Sequence, residues 1–464
     1  MSSYKPFPEY KESGVDWFGH IPESWKFVRI WQVFEERSEL NNKMLDLPLL
    51  TVSINTGVGF YEEKGNINVK AEDERSYQIC KEDDIVYNKM RMWQGAVGVA
   101  PCDGLISPAY QVLIPKKTVY TSYYNYLLKT DIYKIQALRN SYGITLDRNR
   151  LYWDKFKDVK LPLPPKPEQT AIAQFLDRKT AEIKAFIELK EKTIELLKER
   201  KTAIINQAVT KGLDPTVAMK DSGIEWLGEI PMHWEVKKLK YISKINPSKG
   251  TSRFSRNSAE EVVFLPMERV SENGVISNEL KKPIKELWEG FTYFEKHDVL
   301  LAKITPCFEN GKGAYLNKLE SEVGFGTTEF HVFRPNLKRV LAEFFYNILK
   351  SEMFMTLGEE SMIGSAGQKR VPNSFISNFE AGFPSIEEQK DIAGFIKIRS
   401  QEIDQYISQA EKEIALIKEY QQSLISEAVT GKIDVRGWEA KGYVNTMDEM
   451  SMAAEPDTTY TRGI

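Results

Sequence analysis

Two stretches of the chain carry apolar residues in steps of three, four or seven. In the first the positions are Leu176, Ile183, Ile187, Ile194, Leu197, Ile204 and Ala208; in the second they are Ile396, Ile403, Ile407, Ala410, Ile414, Ile417, Leu424 and Ala428. This period predicts long helices, each with a narrow apolar seam of the kind that packs helix against helix in a coiled coil. A polar residue interrupts both seams at one equivalent position, Lys201 and Gln421, and the first departs once more, with Lys190 opposite Ala410. Start signals agree: Pro167 suits a first helical turn, and Ser385 with Glu388 makes a capping box. Roughly 43 residues rising 1.5 Å each would make a rod of about 65 Å. The alternative is two amphipathic helices packed on separate cores.

Elsewhere the pattern shortens to alternating or β-rich runs. DIVYNKM (84–90), YQVLIP (110–115), DVLLAKI (298–304) and FHVFRP (330–335) read as strands, with Gly and Asn clusters such as NTGVG (55–59) as punctuation. GFG at 324–326 is a weak match to a cofactor glycine loop and reads better as a turn into the strand at TTEFHVF. Residues 26–160 and 235–380 are therefore expected to be mixed α/β domains.

The chain is a tandem duplication. Residues 167–214 align without a gap on 387–434 at an offset of 220, and SGVDWFGHIPESW (13–25) returns as SGIEWLGEIPMHW (222–234) at an offset of 209. The second copy must then carry about eleven extra residues in the divergent stretch between these matches. Within that stretch only a faint plan survives, in Asp84/Asp298, Lys89/Lys303, Pro115/Pro335 and Arg150/Arg370. The expected order is a first matching segment with a variable domain (1–160), a central long helix (161–215), a second segment and domain (216–380), a distal long helix (381–438) and a disordered tail (439–464).

Composition narrows the class. A length of 464 residues with 42% hydrophobic and 11% aromatic content suits several globular domains. No run of eighteen apolar residues exists and MSSYKPFPEY lacks a signal-peptide layout, so a cytoplasmic protein without a membrane partner is expected. Cys80, Cys102 and Cys307 share no CxxC spacing and no nearby histidine, which predicts neither a zinc site nor a disulfide framework. The net charge of −3 argues nothing for nucleic acid, but residues 237–257 hold Lys237, Lys238, Lys240, Lys244, Lys249, Arg253 and Arg256 and no acid. Cations interleaved with Ser, Asn, Thr and Tyr can grip phosphate and read base edges, and can equally form a solvated face. There is no GxxxxGK[ST] loop, no HExxH and no [ND]PP[YF] run, so no catalytic residue, metal site or cofactor site is assigned.

A tryptophan motif, a variable domain, a helix opening with EQ and closing with AVT, and then the whole unit again: over residues 11–438 this layout resembles the specificity subunit of type I restriction-modification systems. The resemblance rests on Trp17, Gly19, Pro22 and Trp25 with Trp226, Gly228, Pro231 and Trp234. It rests equally on Glu168 and Gln169 with Glu388 and Gln389, and on Ala208, Val209 and Thr210 with Ala428, Val429 and Thr430. It implies two target-recognition domains, each reading half of a split duplex DNA sequence, joined by antiparallel helices with pseudo-twofold symmetry. It also implies two modification (methyltransferase) subunits that bring S-adenosylmethionine and methylate adenine, with restriction (motor-nuclease) subunits joining them. The chain itself would be non-catalytic. The alternatives are a self-sufficient methyltransferase or nuclease, which the missing motifs disfavour, and a coiled-coil scaffold with no DNA role.

Candidate contacts follow. Trp17, Trp25, Trp226, Trp234, Glu168, Gln169, Glu388 and Gln389 are expected to seat the domains or dock partners. The loops ending at Arg150 and Arg370 are expected on DNA with Thr145, Arg148, Gln368 and Lys369, together with Lys89, Arg91, Lys303, Lys249, Arg253 and Arg256. Because Arg150 and Arg370 match between divergent domains, a fold or phosphate role is open for them.

Overall fold

A computed structural model describes residues 4–61, 74–143, 149–365 and 367–438. Thr145, Arg148 and the tail from 439 lie outside the described residues. The chain divides into two compact units, one of residues 1–188 and 413–464, the other of residues 189–412. Each expected long helix forms: a central helix, Lys166–Lys211, and a distal helix, Ile386–Val429. The unit boundaries fall inside both helices rather than at their ends, because each half helix belongs to a different core.

In the first unit, Ile172, Phe175 and Leu176 from the start of the central helix share a core with Leu424, Ala428 and Val429 from the end of the distal helix. In the second unit the roles exchange, with Ile205, Ala208 and Val209 ending the central helix beside Ile392, Ala393 and Ile396 opening the distal one. The seam residues are buried or half-buried throughout; off the seam, the helix ends bury further apolar residues in the two cores, whereas Leu196, Ile398, Tyr406 and Leu416 are exposed. The polar interruption at Lys201 is satisfied within the second unit by Asp404, at 2.7 Å. A charge at a seam position needs such a partner, and the pairing favours one register of helix on helix.

The capping box forms by half. Ser385 Oγ accepts the Glu388 amide at 3.3 Å, but the Glu388 carboxylate turns to Trp234 and His233. A hydrogen bond from the neutral indole to the charged carboxylate takes the place of the reciprocal cap.

Each unit carries a four-stranded antiparallel sheet. In the first it is built from β1 (Phe34–Arg37), β2 (Ile85–Asn88), β3 (Val97–Val99) and β4 (Tyr110–Pro115), in the order β1-β4-β2-β3. In the second it is built from β5 (Ser243–Ile245), β6 (Val299–Ala302), β7 (Gly313–Tyr315) and β8 (Phe330–Pro335), in the order β5-β8-β6-β7. The four runs read as strands all lie in these sheets. Phe34 pairs with Pro115 as Ser243 does with Pro335, and Val86 pairs with Val112 as Leu300 does with Val332. The extra residues of the second copy therefore enter the connections, and the sheet register is kept.

The buried carboxylates Asp84 and Asp298 occupy one position in this plan, yet their arginines come from different strands. Arg37 of β1 donates to Asp84 at 2.7 and 3.1 Å, and Arg334 of β8 donates to Asp298 at 2.8 Å twice. A buried carboxylate without a cation is costly, so the partner must exist, but the neighbouring strand that supplies it is free to change.

The second unit also carries a mixed sheet of Lys281–Pro283, Glu261–Leu265, Val323–Gly326 and Thr292–Glu295, and the first unit holds a counterpart of its last pairing, with Gly104 opposite Cys80 as Gly324 is opposite Phe294. GFG is thus a strand, not a turn. A Cβ on Gly324 would lie 2.4 Å from the Phe294 ring, and one on Gly326 would lie 2.7 Å from the Leu265 carbonyl, so close packing explains these glycines. NTGVG likewise runs into a strand, Gly57–Phe60, which pairs with Leu50–Ser53. Among the described residues no helix is long and apolar enough to cross a membrane.

Candidate nucleic-acid interface

The matched residues build one seat twice. Trp25 is fully buried, and its indole Nε1 donates to Glu168 Oε2 at 2.8 Å; Trp234, also fully buried, donates to Glu388 Oε1 at 3.0 Å. Gln169 accepts the Tyr120 amide at 2.8 Å and donates to the carbonyls of Thr118 and Pro164. Gln389 repeats this with the Leu341 amide and the carbonyls of Arg339 and Pro384. Each glutamine therefore holds its own domain through main-chain groups that any sequence supplies, while each glutamate holds the tryptophan of its motif.

The other end of the seat is steric. In the first unit the distal helix ends at Gly431, where φ is 75° and an added Cβ would come within 2.6 Å of Pro22 and 3.0 Å of Trp25. In the second, Gly212 ends the central helix beside Trp234 and Pro231. A glycine in the left-handed region closes a helix without a Cβ penalty, and here it also lets the helix end rest on the tryptophan motif. Each tryptophan is thus held between the start of one long helix and the end of the other. Trp17 packs edge-on against Phe27 and Tyr133, and Trp226 lies 4.5 Å from the Phe379 ring. Trp25, Trp234, Gln169 and Gln389 are buried inside their units, so their contacts are with their own domains rather than with a partner.

The expected DNA residues fall into two groups. In the first unit, Tyr142 and Arg150 exchange backbone hydrogen bonds of 3.2 and 3.1 Å that close the loop, and the Leu151 amide ties its end to the Lys89 carbonyl at 2.8 Å. Lys89 and Arg150 are brought together by this tie. Burial pushes the Lys89 ammonium down from its ordinary value; the Glu36 carboxylate opposes the shift and the neighbouring Arg150 charge adds to it. Lys89 Nζ donates to the Pro108 carbonyl at 3.0 Å. Arg150 and Arg91 are exposed, and no carboxylate among the described residues pairs with either. Tyr142, half-exposed, leans on Tyr152 with ring centroids 5.2 Å apart.

The second unit repeats the backbone of this arrangement. Ile363 and Arg370 exchange hydrogen bonds of 3.0 and 2.9 Å, and the Val371 amide donates to the Lys303 carbonyl at 2.8 Å. Lys369 and Gln368 are exposed beside Thr305, whose amide donates to the Lys369 carbonyl. Side chains diverge. Arg370 forms two hydrogen bonds of 2.9 Å to the Glu329 carboxylate. Arg253 and Arg256 pair with Glu322 and Glu289 at 2.6 and 3.2 Å, with both partners about two-thirds exposed. Exposed pairs of that kind contribute roughly 0–1 kcal/mol and exchange readily for another anion. Lys249 donates to the Trp288 carbonyl and shares an open cavity of about 320 Å³ with Lys303, Asn246, Phe291 and Tyr293.

The acid-free run 237–257 is consequently not a bare basic face. Acids from other segments meet Lys238, Arg253 and Arg256, and Glu235 meets Lys237. Glu329 was invisible to motif reading, since it stands where the first copy has Ala109; the alignment at offset 220 is the signal that singles it out. His331 is buried, which pushes its imidazole down to about 4, with the Val371 carbonyl partly opposing the shift. It is a neutral core group at physiological pH.

Comparison with known proteins agrees with this doubled geometry. The family model described as type I restriction modification DNA specificity domain matches twice, over residues 22–199 and 231–415. The chain belongs to this family. The EcoEI specificity subunit of Escherichia coli is 38% identical over 209 residues, a match covering 44% of this chain and 34% of that relative. The EcoAI specificity subunit of Escherichia coli is 37% identical over 206 residues, again covering 34% of the relative, so the chain matches about a third of the length of these two proteins. The putative MjaX specificity subunit of Methanocaldococcus jannaschii aligns over 443 residues at 24% identity, covering 90% of this chain and 96% of that one. Two solved structures share the fold. A chain from a study of complex assembly and conformational transition of the type I R-M system matches with a TM-score of 0.66 at 13% identity, covering 89% of this chain and 99% of that one. The HsdS subunit from Thermoanaerobacter tengcongensis matches with a TM-score of 0.54, also at 13% identity, covering 89% and 98%. The two stretches matched by the specificity-domain family include both sheets, both tryptophans at 25 and 234, and both EQ pairs.

Proposed function

We propose that the chain is the DNA-specificity subunit of a type I restriction-modification complex, a recognition protein without chemistry of its own. Each unit reads one half of a bipartite duplex target through the loops around Lys89 and Arg150 or around Lys303 and Lys369. The central and distal helices pair as an antiparallel coiled coil that fixes the gap between half-sites. They also dock two methyltransferase subunits, which carry S-adenosylmethionine and modify adenine, and motor-nuclease subunits join this core.

One observation carries the reading: the same seat, Trp–Glu and Gln–main chain, is built twice for domains whose candidate contact residues differ. A structural protein has no reason to keep the foundation and vary the exposed loops, whereas a reader of two different half-sites needs both. The cations at the loops supply phosphate contacts that position the protein, and polar side chains such as Gln368 supply base-edge contacts. Coexpression with the modification subunit, followed by genome-wide mapping of methylated adenines, tests this. A split motif with a fixed unread gap is expected. A contiguous motif, or no methylation dependent on this chain, would contradict it.

A further inference from the structure

Arg150 and Arg370 occupy one backbone position in two domains: each closes its loop by a two-way main-chain exchange, and each is followed by a residue tied to the carbonyl of Lys89 or Lys303. Their electrostatic settings are opposite. Arg150 is exposed beside Lys89, with no carboxylate among the described residues to neutralise it. Arg370 is clamped by Glu329 through two parallel hydrogen bonds. Glu329 is three-quarters buried, and Arg370 holds its carboxyl below the usual carboxylate range. The carboxylate is delivered by the strand connection itself: the amide of Lys303 donates to the carbonyl of Glu329 as the amide of Lys89 does to that of Ala109. One difference between the copies, glutamate where the first has alanine, thus gives the second arginine a carboxylate partner that the described residues do not give the first.

We infer that Glu329 is a specificity-determining residue of the second unit, which withholds Arg370 from DNA phosphate while Arg150 in the first unit remains a phosphate contact. The inference rests on the DNA-reading function proposed above. A bidentate, partly buried carboxylate competes with phosphate far better than the exposed pairs of Arg253 and Arg256 do. Phosphate is the same at every sequence, so an arginine free to bind it raises affinity for all DNA alike. Holding the charged Arg370 in an ion pair lowers binding to any sequence that leaves the pair intact more than to a target that realigns it, and specificity is that difference.

The test is the salt dependence of binding to a random-sequence duplex by the full chain, because each phosphate contact contributes about 0.9 to the slope of log K against log salt. Arg150→Ala should lower the slope by about one unit and Arg370→Ala should leave it unchanged. Glu329→Gln should raise it by about one unit, and the rise should vanish in the double variant with Arg370→Ala. The converse variant, Ala109→Glu, should lower the slope as Arg150→Ala does, which keeps the test open should Glu329→Gln fail to fold. An unchanged slope in both Glu329→Gln and Ala109→Glu, with wild type binding duplex, overturns the inference and leaves DNA recognition standing. Absence of any salt-dependent duplex binding by the wild type overturns both.

Discussion

Trp25→Ala is expected to destabilise the first unit by about 3–5 kcal/mol, the range for truncating a buried tryptophan. Two losses combine. The indole is fully buried against Phe7, Tyr123 and the helix end at Gly431, so its removal leaves a cavity at the point where the first domain meets both long helices. The Glu168 carboxylate also loses the indole N–H, its 2.8 Å donor, keeping Ser24 at 3.4 Å and Arg436 at 3.8 Å. Trp25→Phe separates the two terms: it retains most of the volume and should cost roughly 1.5–3 kcal/mol, the net worth of a hydrogen bond to a charged group. Trp234→Ala should have the same effect on the second unit. Urea melts, with hydrogen exchange to assign which unit opens, measure both. A Trp25→Ala variant within about 1 kcal/mol of wild type would remove the seat from the account, because no surface substitution is expected to cost more than that.

The second large effect concerns the helices. Inserting one heptad after Glu195 and one after Ala415 keeps every seam residue on its face and lengthens each helix by about 10.5 Å. At about 3.4 Å per base pair, the unread gap should grow by up to about three base pairs while both half-sites stay the same. A four-residue insertion instead turns the seam by roughly 40° and should damage folding or partner binding. Mapping the methylated sites of the stable heptad variant reads this out. An unchanged gap would leave the helices as docking struts and withdraw their role as a ruler.

The repeat, the seams and four strands were legible because each has a period or a duplicate within the chain itself. What periodicity cannot supply is the identity of a distant partner. Trp25 and Glu168 were both marked by duplication, yet their hydrogen bond spans 143 residues of sequence and leaves no local trace. Arg37 and Arg334 serve equivalent aspartates from non-equivalent strands, so no alignment column links them. GFG was misread because its glycines answer to Phe294 and Leu265, which are brought near only by the sheet. Charge was misleading for the same reason: residues 237–257 are acid-free along the chain, but Glu322 and Glu289 reach them through space. Most of the candidate recognition residues lie in stretches of sequence that diverge between the copies, where a single sequence offers neither period nor duplicate.

Replacing residues 26–160 with the equivalent region of another member of the family tests the central claim, that two independent readers stand on one duplicated seat. The grafted domain must bond its main chain to Gln169 and rest against Trp25, both of which lie outside the exchanged residues and are retained. Methylation-site mapping of the hybrid should show one half of the split motif exchanged, with the other half and the gap intact. Loss or alteration of both halves together, in a hybrid that still folds and binds its modification subunits, would contradict it.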